Sequence, residues 1–366
     1  MLAYLICIIL LVVLYDIICN YKIDKRNIDV FLFVAAILMT FFYGSRHFSV
    51  GTDTIAYFRI FDEDTSVPFD SLWTYMWNQK SPLYVLTEWL FSKFIPSAQA
   101  WLYFISAFFF YGLSRFIKKN SKTPFLSYLI FFCIFGLFQM TGLRQSVAMV
   151  FLMEAFSYAV NRKIFKFITF IIIAYLFHKS ALIFLPVYFL VEKKIRVVDF
   201  FVVFFAVFCI YHSRTESFEY IKSFTSYYYY EATQLEEPIN YSIMIYASTF
   251  FSFIVSIMQN KLAKKEILRI DKDIIVGNRN KLSNNINTNM MYIACLFMPM
   301  VAINGSVRRI VMYFALPIIF ILPETIDFLF KQKKAFFVKI CLSLFLVFLL
   351  LRGVSNSNYS YCLFFM

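Results

Sequence analysis

Six side chains that carry or can take up positive charge stand where they have no routine task. Arg46 follows an apolar run at 28–43, Arg144 opens one at 142–160, and Arg308 and Arg309 open another at 308–330. His178 and Lys179 mark a break inside the apolar stretch 164–191. Guanidinium groups grip phosphate oxygens bidentately, and a helix N-terminus adds positive potential. Such a set suits a doubly charged phosphate or a pyrophosphate. Snorkelling toward lipid headgroups explains any one of these cations alone. It explains less well why four separate segments place cations at one level.

The most motif-like stretch runs Arg46-His47-Phe48-Ser49-Val50-Gly51-Thr52-Asp53-Thr54, followed by Tyr57 and Phe61. Asp53 close to Arg46 is suited to accept a proton from a hydroxyl nucleophile. The plainer alternative is a turn and N-cap for a helix over 54–61. Asp62-Glu63-Asp64 imitates a metal-nucleotide DxD, but an isolated acidic triplet reads as a solvated loop. Glu154 is an acid inside an apolar run, which marks a functional candidate or a partner for a neighbouring helix, and it is left without a role. Tyr227 to Tyr230, with Phe218, Tyr220 and Phe224, form an aromatic face: an interfacial belt, or a platform for sugar rings.

The elements that must position these residues follow from composition. Of 366 residues, 61% are hydrophobic and 16% charged, and mean hydropathy is +0.69. Soluble domains run near half apolar and a quarter charged, so lipid is the solvent. The chain 1–366 therefore reads as a single all-α, multi-pass membrane domain. Apolar runs at 2–19, 28–43, 99–117, 124–139, 142–160, 164–177, 180–191, 197–212, 241–259, 289–303, 308–330 and 335–351 amount to about twelve transmembrane helices. The weaker stretch 82–95, between Pro82 and Pro96, adds a short membrane-associated segment that dips in or lies on the outer surface.

Sidedness comes from the basic residues. Twenty-four of the 35 fall in six connections, including the link 260–288, and the positive-inside rule makes all six cytoplasmic. The loops 44–81 and 213–240 carry more acid than base and read as external. The alternation closes, with both termini outside, only if 164–191 is a hairpin. Its arms would reach about 21 and 18 Å, and its apex Phe177-His178-Lys179-Ser180 lies in the outer half of the membrane. Topology thus accounts for most of the net +13, and no nucleic-acid partner is implied. The seven cysteines are dispersed, without CxxC, and with three histidines they form no zinc spacing. Residues 2–19 lack the basic start and small-residue cleavage site of a removable signal.

Arg46 to Tyr57, as RHFSVGTDTIAY, resembles the first-loop signature of the EpsG/Wzy family of polysaccharide and O-antigen polymerases. The block Gly142 to Leu182, with its Arg-Gln start and Phe-His-Lys-Ser-Ala finish, and RRIVMYF from Arg308 to Phe314 follow in the order of that family. Asn358-Tyr359-Ser360-Tyr361 is only loosely similar, and no role is carried onto it. The resemblance implies a GT-C-like glycosyltransferase of the bacterial inner membrane, with its site facing the periplasm and with no metal or other cofactor. It would move a growing glycan from undecaprenyl pyrophosphate to the non-reducing end of a new lipid-linked repeat unit. Its partners are those lipid-linked donors and acceptors, membrane lipid and a chain-length regulator protein. On this reading Arg144, His178 and Arg309 receive the departing charge and Asp53 is the base. Arg46, Thr52, Gln145, Lys179, Arg308 and Tyr313 bind substrate.

Two competing classes share some features. A lipid-linked oligosaccharide flippase or secondary transporter suits twelve helices, a broken hairpin and Glu154, but the halves show no repeat and the ionisable groups gather at one face. An O-acyltransferase using His178 lacks an acid partner near that histidine.

Overall fold

The computed structural model describes residues 1–19, 24–190, 193, 196–212, 286–297, 308–355 and 361–363. In chain order its helices are α1 (Leu2–Cys19), α2 (Lys25–Gly44), α3 (Thr54–Ser66), α4 (Phe69–Asn78), α5 (Pro82–Ser92), α6 (Ala98–Asn120), α7 (Pro124–Gln139) and α8 (Leu143–Val160). Then come α9 (Ile164–Phe177), a 3₁₀ turn (Lys179–Phe184), α10 (Val187–Leu190), α11 (Val197–His212) and α12 (Ile286–Phe297). The last are α13 (Arg308–Ala315), α14 (Ile318–Leu329) and α15 (Gln332–Ser355). The described residues contain no strand beyond one isolated bridge, Arg46 to Leu363. Helices satisfy their own backbone, which apolar surroundings demand. Among the described residues four helices, α1, α2, α6 and α15, are long and apolar enough to cross a membrane. The higher count expected over 1–366 includes the run 241–259, which lies outside the described residues, as do the loop 213–240 and most of the link 260–288.

Within the span read as one membrane domain, packing forms two compact units. The first holds Met1–Ala155, Phe165–Leu182 and Leu329–Met366. The second holds Phe156–Ile164 and Ile183–Phe328.

In the first unit α2 lies along α6, α1 packs on α2, and α15 packs on α7. Small residues permit the closest approaches. A Cβ on Gly112 of α6 would sit 2.6 Å from Val150 Cγ1 of α8. The two ends of this unit differ. At one, Asp29 at the start of α2 pairs with Lys118 (2.7 Å), and Glu154 pairs with Lys119 (2.9 Å) and Arg115 (3.4 Å). Glu154 is thus neutralised by α6, as a helix partner. The other end gathers Tyr4, Phe42, Met140 and Tyr361, from the start of α1, the end of α2, the α7–α8 link and the C-terminal tail. Apolar side chains such as Ile9 and Ile17 of α1 and Phe336, Phe337 and Leu344 of α15 face outward, as helices in lipid require.

Helices α3 to α5 form a small bundle, with α5 resting on both others. Trp89 Nε1 donates to the Val67 carbonyl at 2.8 Å and closes it. The run 82–95 supplies α5, whose 11 residues extend about 16 Å and fall short of a membrane.

In the second unit the chain doubles back. Helix α8 ends with Arg162 in the left-handed conformation (φ 55°). The amides of Arg162 and Lys163 donate to the carbonyls of Ala159 (3.0 Å) and Tyr158 (2.9 Å), a Schellman ending. Arg162 then meets Tyr188, beyond the His178 break: its Nη1 donates to the Tyr188 carbonyl at 2.7 Å, and the guanidinium lies 4.3 Å from that ring. The Tyr188 hydroxyl returns a bond to the Arg162 carbonyl at 3.2 Å. The 14-residue α9 extends about 21 Å and the six-residue 3₁₀ turn after His178 about 12 Å.

Candidate active site

The signature loop between α2 and α3 is tied down on every side. Its turn needs Gly51, which adopts φ +94°, and a Cβ there would lie 2.9 Å from Thr54 Oγ1 and 3.1 Å from the Met140 carbonyl. That carbonyl accepts from Arg46 Nη2 at 2.9 Å and from Thr54 Oγ1 at 3.2 Å. Arg46 also donates from Nη1 to the carbonyl of Tyr43, and its side chain is fully enclosed. Expected among the cations that grip a ligand, Arg46 instead braces the loop against the entrance to α8. Gln99 Nε2 of α6 donates to the carbonyls of Gly44 and Arg46, and Ser45 Oγ bonds the Tyr103 hydroxyl at 2.6 Å. The tail completes the clamp. The His47 amide donates to the Cys362 carbonyl at 2.8 Å, and Tyr361 stacks on Phe42 at 4.6 Å.

Held this way, the loop delivers Thr52 exposed and Asp53 half-buried at the N-cap of α3. Asp53 makes no side-chain capping bond, so the cap reading accounts for its position and not for its carboxylate. Helix α3 also runs past 61, to Ser66. Thr54, Phe61 and Asp64 face inward, about two and three helical turns apart in all, while Asp62 and Glu63 point out. The acidic triplet is therefore not uniformly solvated.

That inward face meets Arg144, which stands one residue inside the N-terminus of α8. The guanidinium carbon lies 5.8 Å from the ring of Tyr57 and 5.2 Å from that of Tyr84, within the range of cation–π attraction. Arg144 is half-buried, its Nε has no hydrogen-bond partner, and it forms no ion pair among the described residues. Around it the polar groups are linked. Trp101 Nε1 donates to the Tyr84 hydroxyl at 3.1 Å, and the Tyr75 hydroxyl donates to Asp64 Oδ1 at 2.8 Å. Glu88 on α5 is fully buried and Asp64 nearly so. Burial, then a hydrogen bond to Asp64 and the charge of Asp64, push Glu88 well above the ordinary carboxylate range, while Arg144 and Tyr84 pull it back. Burial followed by Asp64 and Glu63 raises Tyr75 to about 12, again opposed by Arg144. The positive field of Arg144 thus reaches both acid and phenol.

His178 sits at the break after α9, with Phe177 stacked on Phe151 at 5.4 Å. Phe151 is seven residues beyond Arg144 along α8, so the break lies about 10 Å deeper than Arg144. Its Nδ1 is bonded to Ser180 Oγ at 2.7 Å and accepts from the Ser180 amide at 3.4 Å. His47 repeats the arrangement with Ser49. Gln145 is buried beside Arg144, and Lys179 is exposed at the apex. Arg308 and Arg309 open α13 in the second unit, and Tyr313 is buried there near the stacked pair Phe184–Phe314.

Glu88, Tyr84 and Tyr75 are not among the residues expected from the sequence, and the tail, onto which no role is carried, belongs to the clamp on the loop. Glu88 is a lone acid inside the apolar run 82–95, the same signal that marks Glu154. Tyr75 and Tyr84 have none, since aromatic residues are everywhere in this chain.

The model of the EpsG family matches residues 29–364, and the chain belongs to that family. No curated protein and no solved structure matches it.

Proposed function

From its membership of the EpsG family, a family of polysaccharide biosynthesis, we propose that the protein is a polysaccharide polymerase of the bacterial inner membrane. It transfers a growing glycan from undecaprenyl pyrophosphate to the non-reducing end of a new lipid-linked repeat unit, at the periplasmic face. About twelve spans and a GT-C-like arrangement go with this reading. The observation that carries it is Arg144: a half-buried guanidinium at a helix N-terminus, flanked by two tyrosine rings and unpaired with any carboxylate among the described residues. Such a group is kept for an anion that arrives from outside.

The chemistry asks for little else. The bond from the anomeric carbon to the pyrophosphate oxygen breaks, and the acceptor hydroxyl oxygen forms the new bond to that carbon. The hydroxyl proton passes to Asp53 at the mouth of the loop. Pyrophosphate leaves as a weakly basic anion, so cationic stabilisation matters more than protonation. Arg144 and His178 supply it on this reading, with no metal required; Arg309, expected to join them, opens α13 in the other unit. Arg46 acts through the loop it braces.

Neutralisation of Glu154 by Lys119 and Arg115 weakens the carrier alternative, whose proton-coupling acid it would have been. Purified protein supplied with a lipid-linked repeat unit alone should yield a ladder of longer glycans, unchanged by chelator. Movement of the lipid across vesicles without chain growth would establish the carrier instead.

A further inference from the structure

The deeper half of the Arg144 cluster has a charge problem that the proposed reaction does not address. Both oxygens of Glu88 and Oδ2 of Asp64 are buried without a hydrogen-bond donor. Two ionised carboxylates offer each other only acceptors, so the contact between them has no bond to make until one takes up a proton. The donors on hand do not remove the problem. Tyr75 already serves Asp64 Oδ1. The Tyr84 hydroxyl accepts from Trp101 and has one hydrogen to give, and Arg144 forms no ion pair with either acid.

We propose that Glu88 and Asp64 hold one proton between them and act as a single negative charge, a positioning pair that balances Arg144 and keeps Tyr84 turned to flank it. The titratable and charged groups facing the pair are Asp64 and Tyr57 from α3, Tyr75 from α4, Tyr84 from α5 itself and Arg144 from α8, with Glu63 acting at the rim through Tyr75. One charge matches one arginine. A second would leave the buried site with excess negative charge and repel the pyrophosphate that Arg144 is there to meet. This rests on the proposed role of Arg144, but the proton itself does not.

Counting charge gives an unusual mutational pattern. In Glu88→Gln the remaining charge sits on Asp64. In Asp64→Asn burial, the largest cause of the raised value, still holds the proton on Glu88, so the negative charge is lost there as it is in the double variant. Chain growth at neutral pH should therefore stay within about threefold of the parent in Glu88→Gln and fall at least about tenfold in Asp64→Asn and in the double. The alkaline decline of activity contributed by loss of the shared proton should vanish from Glu88→Gln. A second readout needs no substrate. The infrared spectrum of the folded parent protein at neutral pH should show the carbonyl stretch of a protonated carboxyl, shifted by deuterium exchange, missing from Glu88→Gln and kept in Asp64→Asn.

A Glu88→Gln variant as inactive as the double, or an Asp64→Asn variant as active as the parent, would overturn the shared-charge idea. A double variant as active as the parent, or a parent spectrum without the band, would overturn it too. If the parent makes no glycan ladder while the band behaves as described, the polymerase reading fails and the proton-sharing pair stands.

Discussion

Removing Arg144 and removing Arg46 should have opposite signatures, because one guanidinium faces two aromatic rings and the other donates to the main-chain carbonyls of Tyr43 and Met140. Arg144→Lys keeps the charge but loses the flat fork that lies against Tyr57 and Tyr84. Its rate of chain growth should drop at least about tenfold, with little change in the thermal midpoint. Arg46→Ala strips a donor from the Met140 carbonyl and leaves a cavity where an enclosed side chain stood. It should cost about 2–4 kcal/mol of stability, read as a lowered unfolding midpoint. If Arg46→Ala unfolds like the parent protein but cannot polymerise, Arg46 belongs with the ligand-gripping cations after all. Gly51→Ala tests the same loop from its turn. The left-handed backbone and the crowding by Thr54 and Met140 should together cost about 1–3 kcal/mol and loosen Asp53. Linkage adds a pH signature from Glu88. Its raised value means the folded state holds a proton that the unfolded chain releases, so stability is greatest in acid. That stability declines as pH climbs from the ordinary carboxylate range to the raised one. Glu88→Gln should flatten that decline.

What could be read at the level of elements divides according to how local the cause is. Helix α2, the start of α8 at the Leu143-Arg144 step, the break at His178 and the start of α13 at Arg308 all follow from apolar runs and their interruptions. So does the short α5. Helix α4 and the burial of Asp64 do not, because they depend on which face of α3 meets α5 and α8. A three-residue acidic triplet has no periodicity of its own to reveal that face. The tail is hidden for the same reason: Tyr361 acts across 319 residues of sequence, by donating to the Phe42 carbonyl at 2.7 Å. Truncation before residue 361 removes that bond, the stack on Phe42 and the bridge to Arg46 and His47 together. The expected result is faster amide exchange over residues 45–53 and a loss of chain growth about as large as for Arg144→Lys, while α6 to α8 keep their protection. Unchanged exchange in that loop would show that Gln99, Tyr103 and Met140 hold it without the tail.

At the scale of the whole molecule the decisive question is whether 164–191 crosses the membrane once or turns back. Charge bias argues for a hairpin, since a single span would carry the basic groups at 193–196, 260–288 and 331–334 to the outside. The contact of Arg162 with Tyr188 supplies a physical reason for the return. The Schellman ending of α8 throws Arg162 toward α10, and its guanidinium is held there by one ring and one carbonyl. Sidedness then becomes measurable with single cysteines on a background lacking the seven native ones. Thr52, Asn78, Lys122, Lys163 and Lys193 are all exposed and suit the substitution. In intact spheroplasts an impermeant maleimide should label Thr52→Cys and Asn78→Cys at once. It should reach Lys122→Cys, Lys163→Cys and Lys193→Cys only after permeabilisation. The informative pair is Lys163 and Lys193, which flank the stretch: labelling on opposite sides of the membrane would mean one long span, and every later connection would change sides with it. Labelling on the same side fixes His178 at the outer half, on the face where Arg144 waits. On that outcome the molecule's net +13 divides into a large cytoplasmic share that orients the chain and a few outer cations, the ones open to the proposed lipid pyrophosphate.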